Sequence, residues 1–592
     1  MDTASQTPSP LLAQTGPARP GMSIRRIVRR PQPAAVDDAA WPADWPELLR
    51  RVHAARGSQG HADAMPRLAD LPPPDAMSGL ADAVDLLRAA IADDRHIVVT
   101  ADFDCDGATA CAVAVRGLRM LGAKRVSFAV PDRAVHGYGL SPALVRHIAP
   151  LQPDLLLTVD HGIACHAGIA AARQQGWQVL VTDHHLPGET LPPADAIVNP
   201  NQPGDAFPGK ALAGVGVLFY LLLAVRAAMR ADGDAGAIAA DLGTLLDLVA
   251  VGTVADMVPL DRINRALIGA GLRRLRSGQG CAGLQALIGV AQRDAAVLTT
   301  ADIGYAIAPR INAAGRLDDM TVGIACLLSD DAGEAHALAA MLDAINRERR
   351  QLQDAMVDSA QLQLPEHADA ASPAICLHDP EWHAGVVGLV ASKLKERFHR
   401  PALAFAPSGN GDGELRGSMR SIPGFHARDA LALIDARHPG LIARFGGHAM
   451  AAGLSLPEAH FAGFSAAFQR LAVEQLHDDL LHERIDSDGE LPVQAHDIQH
   501  ALWLRDGGAW GQRYPEPVFD GVFTVLSSRI VGHAHLRLEL ERDGQRFNAM
   551  HFGSADATAT CGEQVHIAYR LTPDDWRGGD AVQLIVLHRQ SA

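Results

Sequence analysis

Residues 97–107 read I-V-V-T-A-D-F-D-C-D-G, a short apolar run that stops at three aspartates in alternate positions and a glycine. A continuous apolar run of this kind, ended abruptly by polar residues, marks a strand buried on both faces of a parallel sheet. The theme recurs three times: Leu155 to Val159 runs into Asp160-His161-Gly162, Val179-Leu180-Val181 into Thr182-Asp183-His184-His185, and Ala196-Ile197-Val198 into Asn199-Pro200. Helical segments lie between these runs. The alternation predicts an α/β domain with a parallel sheet, and in such sheets ligands bind beyond the carboxyl ends of the strands. The acidic and histidine clusters all fall there.

Working outward, the 592 residues suffice for about three to four domains of ordinary size. Residues 1–45, rich in Pro, Ala and Thr with a basic cluster at Arg25, Arg26, Arg29 and Arg30, read as a disordered tail. The α/β domain, with a helical lead-in, spans residues 46–330 and includes an arginine-rich loop over 309–316. A long helix is expected over 331–365. Leu338, Leu342, Ile345, Leu352 and Met356 give it one apolar stripe, and its length of roughly 45 Å suits a link between two domains flanking a groove. A second α/β domain occupies 366–475. In 476–592, five strand-like stretches (521–530, 535–541, 545–551, 565–571 and 581–589) suit a small five-stranded barrel of the oligonucleotide-binding type.

Seven scattered cysteines without C-x-x-C spacing read as reduced thiols of a cytoplasmic protein, not as a disulfide or zinc framework. The N-terminus shows no apolar signal-peptide core. The apolar run 211–225 is shorter than the ~20 residues a membrane span needs, so it reads as a buried helix and no membrane partner is expected. A net charge of −16 argues against indiscriminate coating of nucleic acid. It leaves room for a local phosphate site, because a carboxylate-rich cation centre is itself acidic. With aromatic residues at only 5%, any such grip rests on phosphate contacts more than on stacking.

Clustered carboxylates raise one another's pKa unless a cation shares them. Alone, Asp102, Asp104 and Asp106 also fit a loop capping the next helix, and a lone D-H-H also fits an exposed histidine pair. Together with Asp160-His161, Asp183-His184-His185 and Asp256 they read as a metal site. Oxygen and imidazole donors without thiolate favour Mn2+ or Mg2+.

The motifs D-F-D-C-D-G (102–107), V-D-H-G (159–162), T-D-H-H (182–185) and V-A-D-M-V-P-L (254–260) resemble, in order, those of the DHH phosphoesterase superfamily. R-I-N-A-A-G-R-L (310–317), H-A-G-V-V-G-L-V-A-S-K-L (383–394), R-G-S-M-R-S (416–421) and F-G-G-H-A-M-A-A-G (445–453) resemble the RecJ family of single-stranded-DNA exonucleases within it. The resemblance covers roughly residues 95–460. It implies a DHH domain, a DHHA1-type domain and an OB-like barrel. It also implies that Asp104, Asp106, Asp160, His184 and Asp256 hold two divalent cations, Mn2+ or Mg2+, with Asp160 between them. His185 would face the scissile phosphate and Asp183 would orient a histidine. Thr100 stands where some members have a histidine, and whether Asp102 ligates in its stead is open.

For the second domain the resemblance implies substrate grip by Ser418, Arg420, Gly446, Gly447, His448 and His383. Gly-rich backbone and arginine forks suit phosphate oxygens, although G-G-H also fits a plain turn and His383 a helix cap or core residue. Arg133, with Arg310 or Arg316, would complete a pocket for the DNA 5′ end. The implied activity is stepwise 5′→3′ hydrolysis of single-stranded DNA to 5′-mononucleotides in repair and recombination. The implied protein is a cytoplasmic monomer cooperating with a single-strand-binding protein and a DNA helicase. Three alternatives fit less well. A DHH phosphodiesterase for cyclic dinucleotides or short oligonucleotides needs neither this length nor the barrel. An inactive DNA-binding scaffold should have lost ligands, and all five are present. An inorganic pyrophosphatase leaves R-G-S-M-R-S and G-G-H unexplained.

Overall fold

The structure, a computed structural model, describes residues 24–31, 38–132, 135–364, 373–409, 411–532, 534–554 and 559–592. The chain forms two compact units. One is built from Arg29–Arg349 and Asp486–Ala592, the other from Arg350–Ile485 with the chain up to Val28.

The first unit contains a parallel five-stranded sheet in the order β3-β2-β4-β5-β6, with β2 at Ile97–Ala101, β3 at Val126–Ala129, β4 at Leu155–Val159, β5 at Gln178–Thr182 and β6 at Ala196–Val198. Every residue of β2 and β4 is buried, as their unbroken apolar runs require. β3 is not foreseen from the sequence. It is an edge strand, V-S-F-A, with only Val126 fully buried, so it lacks the continuous apolar signature of the inner strands. Helices α1 (Cys105–Met120), α2 (Gly214–Ala231) and α3 (Leu246–Ala255) pack on one another beside the sheet. α2 contains most of the 211–225 run. It is long and apolar enough to cross a membrane, but Val215, Val217, Leu218, Tyr220, Leu221 and Leu222 are buried in the core.

Two expectations need correcting. The arginine-rich stretch 309–316 is not a loop but lies within helix α4 (Ala308–Leu317), preceded by a π-helical turn at Ile303–Ile307. Pro309 follows closely on that widened π-helical turn, which accommodates a residue without an N–H, so the helix continues through it. The disordered tail proposed for 1–45 is also wrong at its described residues. β1 (Ile24–Arg29) pairs with β12 (His482–Ser487), and Trp41 is buried. Arg25 meets Glu483 at 2.7 Å, while Arg29 donates to Asp520 at 2.8 Å and to Glu490 at 2.7 Å. Residues 1–23 and 32–37 lie outside the description.

The long helix forms as α5 (Ala332–Gln363), and the division between the two units falls within it. The C-terminal strands β13 (Phe519–Val531), β14 (His535–Arg542), β15 (Gln545–His551), β16 (Gln564–Pro573) and β17 (Val582–Ser591) close into a barrel in the order β13-β14-β15-β17-β16. Its interior is filled by alternate residues, among them Phe523, Val525, Leu538, Leu540, Ile567 and Tyr569. The barrel is fused to the first domain: Leu491, Trp510 and Tyr514 belong to the same apolar core as Leu260 and Ile263. The Arg265 guanidinium lies 3.9 Å over the Tyr514 ring, Thr300 Oγ1 donates to the Trp510 carbonyl and the Leu260 amide to that of Gln512.

The second unit holds a five-stranded sheet, β10-β11-β9-β8-β7, with β7 at Ile375–His378, β8 at Ala402–Pro407, β9 at Glu414–Arg420, β10 at Arg444–Gly447 and β11 at Ala451–Pro457. β7 and β8 are parallel, joined through α6 (Val387–Phe398), and the remaining pairs are antiparallel. Helices Ala427–Arg437 and Phe461–Gln475 close its core through Leu431, Ile434, Phe464 and Phe468.

Candidate metal centre and phosphate site

Strand register assembles the first site. Ala101 pairs with Val159 and Val159 with Thr182, so Asp102, Asp160 and Asp183, each one residue further on, leave the sheet side by side. Asp104 caps α1, its Oδ1 accepting the Gly107 amide at 3.0 Å. Asp106, in the first turn, accepts the amides of Gly214 and Val215 at 2.7 and 3.0 Å from the start of α2. Asp256 follows the last residue of α3. Two glycines permit this crowding: a Cβ on Gly107 would lie 2.5 Å from the Asp102 carbonyl oxygen, and one on Gly214 would lie 2.5 Å from Asp160 Oδ1. Asp160 itself has φ +62°, a conformation costly for a non-glycine residue and typical of strained functional positions.

Three sets of donor atoms converge, each within 4.8 Å: Asp106, His184 and Asp256; Asp160, His184 and His185; and Asp102, Asp104 and Asp160. His184 Nε2 lies 3.2 Å from Asp160 Oδ1 and 3.5 Å from Asp256 Oδ2. Asp183 is occupied differently. Its Oδ1 accepts from the amides of His184 and His185 and lies 2.7 Å from His185 Nδ1, and its Oδ2 accepts the Ile163 amide. It holds the D-H-H turn in shape. Sequence reading missed Tyr138, whose hydroxyl sits 3.3 Å from His185 Nε2 and whose ring meets Phe103 edge-on. A tyrosine in a glycine-rich loop carries no spacing signal.

Burial and the neighbouring Asp104 push the Asp106 carboxyl up to about 7. Burial and the adjacent carboxylates raise Asp160 and Asp256 well above the ordinary range. Burial would also raise Asp183, but the hydrogen bond and charge of His185 bring it below that range. Burial likewise opposes charge on His185, yet its bond to Asp183 lifts it to about 9. Asp160 Oδ1 and Asp256 Oδ2 are buried with no hydrogen bond among the described residues. Buried carboxylates in such numbers ionise together only if cations share them, so the donor set fits divalent metal.

Cation binding must displace the protons that Asp106, Asp160 and Asp256 retain to unusually high pH. Raising the pH removes those protons, so affinity rises with pH. Calorimetric titration should show Mn2+ binding strengthening by roughly tenfold or more between about pH 6 and about pH 8, with proton release. A pH-independent constant would contradict this.

The second site lies wholly in the second unit. Arg420 Nη1 donates to Ser418 Oγ at 2.8 Å and to the Met419 carbonyl at 2.9 Å. Both residues lie on strand β9, not in the glycine-rich loop expected. A Cβ on Gly388, in the first turn of α6, would come within 2.9 Å of the Arg420 guanidinium and 3.1 Å of Ser418 Oγ, so the helix N-terminus and both side chains share one spot. Ser418 pairs with Gly453, and Gly453 with Gly446, leaving bare backbone on two strands beside Ser418. Gly447 (φ +144°) ends β10, paired with Ala452, and His448 begins the β10–β11 turn, closed by its amide donating to the Ala451 carbonyl. His383 is exposed in the turn before α6 and accepts the Gly385 amide at 3.1 Å.

The arginines expected beside these residues divide. Arg310 is buried, and its guanidinium is engaged by Asp343 at 2.9 Å and by the Ala306 carbonyl. This ties α4 to α5. Arg316 is half-buried in the last turn of α4. Arg133 lies outside the described residues.

Comparison with known proteins gives the class first. Family models match for the DHH family N-terminal domain over residues 96–253, the DHHA1 domain over 371–474 and the RecJ OB domain over 487–588. The single-stranded-DNA-specific exonuclease RecJ of Dickeya dadantii is 47% identical over 578 residues, covering 95% of this chain and 99% of the relative. The RecJ of Escherichia coli is 46% identical over 565 residues, covering 93% and 97%. The crystal structure of RecJ from Thermus thermophilus in complex with Mn2+ superposes with a TM-score of 0.79 at 31% identity, covering 96% of this chain and 80% of that one. Its complex with Mg2+ gives 0.75 at 30%, covering 96% and 78%. The chain belongs to the RecJ family.

Proposed function

We infer that this protein is a single-stranded-DNA-specific exonuclease that hydrolyses phosphodiesters with Mn2+ or Mg2+. The observation that carries the reading is the convergence of buried Asp and His donors within 4.8 Å in a chain 47% identical to a RecJ exonuclease. We assign Asp104, Asp106, Asp160, His184 and Asp256 to hold the cations, and add Asp102, which groups with Asp104 and Asp160 where Thr100 offers no imidazole. When bound, paired divalent cations lower the pKa of water and neutralise charge on the phosphorane and leaving oxygen. His185, oriented by the contact of its Nδ1 with Asp183 Oδ1 at 2.7 Å, turns its Nε2 to the scissile phosphate. Ser418, Arg420 and the α6 N-terminus hold the 5′ phosphate, and we assign Gly446, Gly447, His448, His383, Arg133 and Arg310 or Arg316 to substrate binding. A held 5′ end fixes 5′→3′ polarity and releases 5′-mononucleotides, and the fused barrel retains the strand.

An enzyme confined to single strands must have them supplied. Its partners are therefore a DNA helicase and a single-strand-binding protein, and it works as a monomer in the cytoplasm. The domains run over 46–330, 366–475 and 476–592, joined by 331–365, with 24–29 added to the ordered fold.

The test is digestion of 5′- and 3′-labelled single strands, duplex and a cyclic dinucleotide with Mn2+ or Mg2+. Early release of labelled mononucleotide from the 5′-labelled single strand alone is expected. Preferential attack on duplex or on the cyclic dinucleotide would overturn the reading.

A further inference from the structure

The segment R-I-N-A-A-G-R-L (310–317) carries two arginines, and its middle residues serve the 102–107 loop. Cys105 opens α1, and its amide is one of the helix-start donors with no partner inside the helix. That amide donates at 2.8 Å to Asn312 Oδ1, on α4. One turn further along α4, a Cβ on Gly315 would stand 1.8 Å from the Phe103 carbonyl oxygen, so α4 lies directly against the loop backbone. Positions three apart share a helix face. The two contacts, one a hydrogen bond and one steric, therefore grip the residues on either side of Asp104. At the other end of α4, Arg310 is fixed by Asp343 of α5.

We propose that Asn312, on a helix anchored by the Arg310–Asp343 ion pair, is the positioning residue that sets Asp104 and Asp106 for cation binding. The proposal rests on the reading of those aspartates as cation-holding. A site of this kind demands donor placement within about 0.5 Å, and a free Cys105 amide would let the loop turn and the Asp104 cap slip. Groups that orient ligands without touching metal typically set affinity by about 10- to 100-fold.

The experiment is Mn2+ titration of the full-length protein, with free Mn2+ followed by electron paramagnetic resonance and thermal unfolding recorded alongside. Asn312→Ala should weaken Mn2+ binding about tenfold or more while the protein still unfolds cooperatively. Asn312→Asp, which keeps the acceptor, should restore it. Binding by Asn312→Ala within about twofold of the unmodified protein would overturn the proposal. Should that variant fail to fold, Asp343→Asn decides: a loss of about threefold or more supports the anchored helix, and unchanged binding overturns it. Asp160→Asn separates the two readings. If it also binds Mn2+ normally, the metal assignment itself falls. If it does not and Asn312→Ala does, only Asn312's role is lost.

Discussion

Asp160→Ala is expected to cut hydrolysis of single-stranded DNA by on the order of 10³-fold or more with Mn2+ present, while the protein remains folded. Asp160 appears in two of the three converging donor sets, so its loss disables both at once. Stability should move in the opposite direction to activity. A buried carboxyl whose pKa is raised destabilises the fold at any pH above its unfolded value, because ionisation is favoured more in the unfolded chain. Removing it relieves that penalty and the repulsion from Asp106, Asp104 and Asp256. Against this stands the cost of about 1–2 kcal/mol for alanine in the left-handed region, which Asp160→Asn avoids, since asparagine tolerates that conformation. The asparagine variant should therefore unfold, in chelator, at or above the temperature of the unmodified protein, and still be inactive. Near-normal turnover by either variant would remove Asp160 from the reaction.

The second large effect is expected at the other unit. Arg420→Ala should lower kcat/KM on 5′-phosphorylated strands roughly 10- to 100-fold, the worth of a charge-assisted hydrogen bond to phosphate, and lower it far less on 5′-hydroxyl strands. The guanidinium is already oriented, because Ser418 Oγ and the Met419 carbonyl occupy one of its terminal nitrogens. Binding then costs little further ordering. Equal losses on both substrates would mean that Arg420 stabilises the end of β9 and does not hold the 5′ end of the DNA.

The parallel sheet was legible because buried strands announce themselves as unbroken apolar runs, and the barrel because its five strands alternate. Strand ends marked Asp102, Asp160 and the Asp183-His184-His185 turn, whereas Asp106 sits in a helix and Asp256 at the end of one, and the choice among these residues came from the family resemblance. What stayed hidden was whatever depends on a distant partner. β1 looked like a basic tail because Glu483 and Asp520, its counter-charges, come more than 450 residues later. The pairing of Arg310 with Asp343 stayed hidden because 33 residues separate them and nothing local marks it. β3, at the sheet edge, has too little apolar burial to register, and α4 was read as a loop because Pro309 and Gly315 suggest breaks, where the one in fact follows a π-helical turn and the other allows a close approach.

The fused core of the first unit carries a consequence for synthesis. The chain leaves that unit after Arg349 and re-enters it only at Asp486. At ribosomal rates of about 5–20 residues per second, the intervening stretch takes on the order of 10 seconds to emerge. Throughout that interval the nascent chain lacks the surface that will cover Leu260, Ile263 and Arg265. The second unit, whose segment 350–485 emerges without interruption, can finish folding first. The newborn enzyme thus spends its most vulnerable seconds with one finished half and one open half. Chaperone occupancy during translation should peak before residue 486 is made.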